Sequence, residues 1–303
     1  MRSLALARTP IFALLGLGML SACASHRRSD AAHDDALVDD FGDTVAIPRT
    51  RAQRIVSLDP AVTAMLFAMG AGGAVVGRTR WDNYPAAVQQ VPSVGDGLRP
   101  NLEAVLERRP DLVILYASGD DRAAVQQLRQ AGVPTLALKV DRVADFRRAL
   151  ALLGRFLGDS ARAAGVADSV EATLARVRHA TAGLDRVTVV WPVDVAPLRM
   201  IGGGSYMNAL LDDAGATNLY ASSPDPAPVV SLESVLRGDP DVVLATPSGK
   251  QALEADPRWA TWRERPTHRI LVPDTALVDM PSVRMGEAAV HLARLLHPNA
   301  SVR

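Results

Sequence analysis

Only one cysteine occurs in the 303 residues, Cys23, so no disulfide can form within the chain. The folded part must rely on its apolar core, and a hydrophobic content of 48% supplies one. Neither sign of charge is in excess: 33 Lys and Arg balance 33 Asp and Glu. With no basic surplus to neutralise phosphates, nucleic acid is excluded as the main partner. The six histidines (His26, His33, His179, His268, His291 and His297) form no close ligand cluster, which argues against capture of a bare metal ion. No Ser/His/Asp or Cys/His arrangement is legible. Gly202-Gly-Gly-Ser205 lacks both the Lys-Ser/Thr of a Walker loop and the Gly-x-Ser-x-Gly of a nucleophile elbow. It reads as a tight turn into a helix, with no catalytic or cofactor role. Aromatics make up 4% of the chain, so those placed at strand ends are informative.

Arg2 and Arg8 precede an apolar run at residues 11–20 that is too short to span a bilayer as a helix. It ends in Leu20-Ser-Ala-Cys23, which resembles the lipobox of bacterial lipoproteins. Residues 1–23 are therefore expected to be a signal peptide, left out of the fold, with Cys23 as the lipidation site. Residues 24–40 are polar and mixed in charge, with no apolar period. They read as a flexible tether with a reach of roughly 20–25 Å. The expected location is the periplasmic side of the cell envelope, lipid-anchored to a membrane.

One stretch organises the rest. Residues 100–115 read as a short helix, a turn at Pro110-Asp111, and a buried strand. The stretch recurs as residues 230–244, with Glu103 on Glu233 and Pro110-Asp111 on Pro240-Asp241. The offset of 130 residues is far longer than a solenoid period of about 20–50 residues. Two similar lobes account for it.

Strand and helix patterns alternate through residues 41–140, which predicts an α/β lobe with a mainly parallel sheet. Extended pieces are expected at residues 45–48, 54–58, 75–78, 91–95, 112–115 and 134–138. Helices are expected from residue 61, over the repeat, and over 120–131. Residues 141–182 carry helical spacing in two runs broken at Gly158. The second run would measure roughly 30 Å, long enough to cross the back of a two-lobed body as a stiff connector. Residues 183–303 form the second lobe, with strands at 187–191 and 269–272 and helices over 206–214 and 282–296. The fold class is α/β: two three-layer lobes with mainly parallel sheets, joined by one long connecting helix.

The order and spacing of these pieces resemble the substrate-binding lipoproteins of ABC importers for cobalamin, haem and ferric siderophores. The matching residues are Arg54-Ile-Val-Ser-Leu-Asp-Pro60, Asp82-Asn-Tyr-Pro85, Asn101-Leu-Glu103, Pro110-Asp-Leu-Val-Ile114, Gly203-Gly-Ser-Tyr-Met-Asn208, Ser231-Leu-Glu233 and Pro240-Asp-Val-Val243. They span residues 47–297. The resemblance implies a non-enzymatic binding protein that holds its cargo between two lobes. Its partners would be an ABC permease dimer with its ATPase. Glu103 and Glu233, one on each lobe, would meet arginines of the permease subunits, a two-point electrostatic dock.

Cleft contacts are expected from loops at strand ends. Trp81 and Tyr84 follow the second core strand, Tyr116 follows Leu115, Trp191 ends the first strand of the second lobe, and Tyr206 opens its helix. Arg284 lies where the family often turns a polar residue to the cleft. The resemblance is strongest to the cobalamin branch, and a corrinoid is a broad, mostly apolar plate that aromatic walls would suit. The loop at residues 225–229 lacks the tryptophan that some cobalamin binders carry there. Haem would use Tyr116 or Tyr206 as an axial ligand. An anionic ferric siderophore would use Arg80, Arg99 and Arg284.

Overall fold

The computed structural model describes residues 36–300 apart from Leu98. The signal segment, Cys23 and residues 24–35 of the expected tether lie outside the described residues. The end of that tether is a correction. Strand β1 (Ala36–Val38) pairs antiparallel with β2 (Thr44–Ala46). Between them, the buried Asp39 carboxylate accepts from the amides of Phe41 and Asp43 and, at 2.8 Å, from Arg129. Asp40 accepts from Arg148 and from the Lys139 amide. The charges that make residues 36–40 look like a solvated linker are held by arginines about a hundred residues further along. Carboxylates paired in this way fix a turn instead of extending a chain.

The first lobe follows as β3 (Ile55–Ser57), α1 (Pro60–Ala68), β4 (Val75–Gly77), α2 (Leu102–Glu107), β5 (Leu112–Tyr116), α3 (Arg122–Gln130) and β6 (Thr135–Leu138). Its sheet is parallel throughout, in the order β4-β3-β5-β6. Asp59 caps α1 by accepting from the Ala61 amide, with Pro60 in the first turn. The expected extended piece at residues 91–95 is not a strand. It makes isolated bridges only, Ser93 with Arg78 and Gly95 with Pro100.

Two helices then leave the lobe, α4 (Val143–Leu157) and α5 (Ser160–Thr181). Gly158 stands between them at φ +68°, a left-handed turn that glycine adopts without strain. At 22 residues, α5 is about 33 Å long.

The second lobe runs β7 (Val187–Val190), β8 (Pro192–Val195), β9 (Leu198–Met200), α6 (Tyr206–Asp213), β10 (Ala216–Asn218), α7 (Leu232–Gly238), β11 (Val242–Leu244), α8 (Pro247–Ala255), α9 (Ala260–Arg263), β12 (Arg269–Leu271), α10 (Thr275–Val278) and α11 (Met285–Leu296). Its parallel sheet has the order β10-β7-β11-β12. This is the order of the first lobe: second strand, first, third, fourth. The antiparallel β8–β9 hairpin has no counterpart in the first lobe.

The repeat is structural down to single bonds. Asn101 caps α2 and Ser231 caps α7. Arg109 and Asp239 leave those helices with φ of +46° and +48°. Asp111 accepts from the amides of Gln53 and Arg54 at the start of β3. Asp241 accepts from the Thr188 amide in β7. Positions 101 and 231, 109 and 239, and 111 and 241 keep the 130-residue offset.

Each sheet is buried on both faces, as parallel sheets require. Leu112 and Ile114 of β5 join a core shared with Val242 and Leu244 of β11. That core runs continuously through α4, α5, α6 and α11. The alternate residues Val113 and Leu115 face a separate first-lobe cluster, and Val190 and Val243 face one capped by Trp259 and Trp262.

If residues 36–43 belong to the body, Asp39→Ala should destabilise it. Removing one partner of a buried, hydrogen-bonded charge should cost about 2–4 kcal/mol in urea unfolding. A loss within the noise of a surface substitution would return this segment to the tether.

Candidate ligand cleft

The loops after β4 and β12 face each other across the lobes. The first is braced from within by Arg78, whose guanidinium donates to the carbonyls of Thr79, Val88 and Val91 and to Gln89. Asp82, 1% exposed, accepts from the Thr79 amide and hydroxyl at 2.8 and 2.6 Å. These bonds fix the short arc that presents Trp81, Asn83 and Tyr84.

Among the described residues, three polar contacts cross between the lobes at the cleft. The Arg284 guanidinium lies 4.6 Å above the Tyr84 ring, a cation–π arrangement. The Asn83 side chain lies beside the Asp279 carboxylate and lowers its pKa. The Tyr206 amide donates to the Asp141 carbonyl at 3.2 Å. Asp141 also accepts the Tyr116 hydroxyl at 2.6 Å and pairs with Lys139 at 3.3 Å. The Tyr206 hydroxyl donates to the Val278 carbonyl at 2.6 Å.

Tyr84, Tyr116, Tyr206 and Arg284 therefore meet along one seam. Trp81 stands beside it, 56% exposed, with the Arg80 guanidinium 4.8 Å above its ring. Trp191 does not stand open to the cleft: it is 5% exposed and part of the continuous core. The β8 strand follows it immediately, so residue 191 is a turn into a sheet edge and its indole is folded under. Asp59, Asp82 and Asn83 lie in the matching segments but were given no cleft role from the sequence, and Asp141 and Asp279 were not singled out. Position is a further signal, since Asp59 follows β3, Asp82 follows β4 and Asp141 follows β6.

The seam is acidic. Burial pushes Asp59 up to about 6, against the lowering effect of the Ala61 and Val62 amides, and Asp82 and Asp141 add repulsion. Burial likewise raises Asp82 and Asp279. Tyr116 is raised by burial and by its bond to Asp141, and Tyr206 by burial and by Asp279. The Gly202-Gly-Gly204 run is a close approach. A Cβ at each position would fall within about 2 Å of a backbone carbonyl of the loop at residues 221–225, so only glycine lets that loop lie across the entrance to α6.

The two docking candidates are exposed on the first turns of equivalent helices. Among the described residues Glu103 has no ion pair or hydrogen bond, whereas Glu233 pairs with Arg237 at 2.5 Å.

Two parallel-sheet lobes with a seam at their strand ends define the two-lobed class of solute-binding proteins. The "Periplasmic binding protein" family model matches residues 55–263, and the chain belongs to that family. It is thus a periplasmic, non-enzymatic substrate-binding protein. A "Vitamin B12-binding protein" of Pectobacterium carotovorum is 27% identical over 194 residues, 63% of this chain and 70% of that protein. An "Uncharacterized ABC transporter substrate-binding lipoprotein YvrC" of Bacillus subtilis is 26% identical over 302 residues, 94% of this chain and 95% of that protein. Among solved structures, the vitamin B12 binding protein BtuF of Vibrio cholerae has a TM-score of 0.67 at 21% identity, covering 82% of this chain and 97% of its own. A periplasmic haem-binding protein of Pseudomonas aeruginosa has a TM-score of 0.72 at 24% identity, covering 82% and 94%. These two structural likenesses establish the fold.

The raised Asp59 predicts a pH signature. An unfolded Asp titrates near 3.9, so the folded state takes up the Asp59 proton first. Stability lost to this group is complete above pH 6 and is recovered as pH falls towards 4. Asp59→Asn keeps the helix cap. It should be more stable than the native chain at pH 8, by up to about 3 kcal/mol, and no more stable at pH 4. A difference independent of pH in thermal unfolding would show that Asp59 carries no such cost.

Proposed function

We propose that this protein captures cobalamin or a related corrinoid between its lobes and delivers it to an ABC permease. The observation that carries the cargo class is that the polar ends of the seam are already committed. Tyr116 and Tyr206 both donate their hydroxyl protons, to Asp141 and to Val278. An axial phenolate for haem iron has to lose that proton, and both phenols are shifted against losing it. Arg284 is held by Glu287 and Arg80 by Asp96, which removes two of the three cations an anionic siderophore would need. What stays available is the Trp81 indole, 56% exposed with Arg80 over one face, and the exposed Asp279 carboxylate. A neutral macrocycle with amide edges fits these: its plate stacks on the indole, and its N–H groups meet acceptors. Relatives named for vitamin B12 support the same class.

Haem is the second reading, favoured by the haem-binding structural neighbours. Calorimetry of the protein against cobalamin, haem and a ferric hydroxamate separates the two. Cobalamin should bind at about micromolar affinity or tighter, and Trp81→Ala should weaken it about tenfold or more. Haem binding with a tyrosinate absorption band and no cobalamin signal would refute the corrinoid assignment and leave transport standing.

Two further parts belong to this reading. Lipidation at Cys23 would hold the protein at a membrane, and Cys23→Ser should release it into the soluble fraction. Glu103 and Glu233 would dock the lobes on the permease. Reversing both to Arg should abolish uptake with cargo affinity unchanged. Transport that survives the double reversal would reduce them to surface charge.

A further inference from the structure

The two docking ends are not chemically equal. Four residues after Glu103 stands Glu107, exposed and without a hydrogen bond or ion pair among the described residues. Four residues after Glu233, at the position equivalent by the repeat, stands Arg237, which neutralises it. The first-lobe helix therefore presents two open carboxylates and the second-lobe helix a closed pair. An i, i+4 pair of this kind is worth only about 0.5 kcal/mol, but it cancels the field that would reach a distant arginine.

The second-lobe end carries something else. Val229 makes an isolated antiparallel bridge with Arg199 of β9, with Met200 donating to the Pro228 carbonyl and Val230 to Leu198. The bridged segment runs straight into Ser231, the cap of α7. Val193, Val195 and Val229 on this ladder are 49%, 72% and 61% exposed. They are three of the six large hydrophobic side chains exposed among the described residues. The first lobe has Arg99 where Val229 stands and no hairpin at the equivalent position. Beside the hairpin opens a cavity of about 440 Å³ lined by Pro192, Val195, Leu198, Leu232, Leu253 and Trp259. Leu232 adjoins Glu233, so the cavity continues the docking helix.

We propose that the second-lobe end docks on the permease through apolar contact instead of charge, with Val195, Val229 and this cavity receiving an apolar side chain of a permease loop. The inference rests on the permease-docking reading above. Exposed valines around a cavity of this size are expensive to leave in water unless a partner covers them. Their continuity with α7 places that partner on the docking side. The first-lobe end steers the encounter by charge, and the second-lobe end holds the complex once formed.

The test measures binding of the full chain to its permease–ATPase complex, both in detergent, at about 50 to 500 mM salt. Glu103→Gln with Glu107→Gln should cut the association rate about tenfold at low salt and flatten its salt dependence. Glu233→Gln should change association less than about twofold. Val195→Ser with Val229→Ser, both at exposed positions, should raise the dissociation rate about tenfold with the association rate and cargo affinity unchanged. Native dissociation from the valine variant, or equal salt-dependent losses from Glu103→Gln and Glu233→Gln, would overturn the inference and leave the docking reading intact. A native chain that does not bind the complex at all would overturn both.

Discussion

The constraint on which the rest depends is the seating of α5. It packs against α4 of the first lobe and against α6 and α11 of the second. At each end the approach is close enough to require glycine. A Cβ on Gly154 would lie 2.7 Å from the Ala163 side chain, and one on Gly286 would lie 2.8 Å from Thr173. Thr181 and Arg178 of the same helix bond to Asp213 at the end of α6. Because these contacts belong to a single apolar core, the lobes cannot part freely without exposing apolar surface, at about 25 cal/mol per Å². The cleft is held at a nearly fixed width by a rod behind it. Its adaptation to a ligand must come from small rocking and from side chains.

A fixed gap makes the chemistry of the facing loops decisive. Among the described residues the polar contacts across the cleft are few and individually weak: one cation–π pair, one amide–carboxylate approach and one backbone bond. None would hold two free domains together. They do determine which polar groups a ligand finds unengaged. The phenols of Tyr116 and Tyr206 and the guanidinium groups of Arg80 and Arg284 are engaged internally, while the Trp81 indole is 56% exposed. On the proposed reading, specificity arises as much from groups withdrawn from binding as from groups offered.

Much of this was legible in the sequence because it is periodic. The 130-residue repeat, the apolar runs of β5 and β11 and the helical spacing of α5 all reflect burial, and burial leaves a pattern. Arg237 lies one helical turn beyond Glu233, so that pairing too was readable. What could not be read depends on distant partners. Asp39 and Asp40 look like linker charges until Arg129 and Arg148 fold against them. Trp191 sits at a strand end like Tyr116, but one is folded under and the other half-buried at the seam. Period alone does not distinguish a side chain at the mouth of a cleft from one beneath its floor. The β8–β9 hairpin is three to four residues per strand, too short for alternation to register.

The two lobes agree and diverge in different places, and the division is informative. Agreement is found where the chain must fold: caps at 101 and 231, left-handed exits at 109 and 239, and the carboxylates of Asp111 and Asp241 that tie each third strand's turn to the first strand. Each of these satisfies a backbone group that either lobe would otherwise leave unpaired. Among the positions where they diverge are two pairs on the outer ends, 99 and 229 and 107 and 237, which are exposed, Arg237 pairing only with Glu233 of its own helix. Internal stability does not account for the difference at these positions, because exchanging the side chains would leave the hydrogen bonds of both parallel sheets unchanged. On the docking proposed above, that difference answers to a partner surface that meets one lobe by charge and the other by apolar contact.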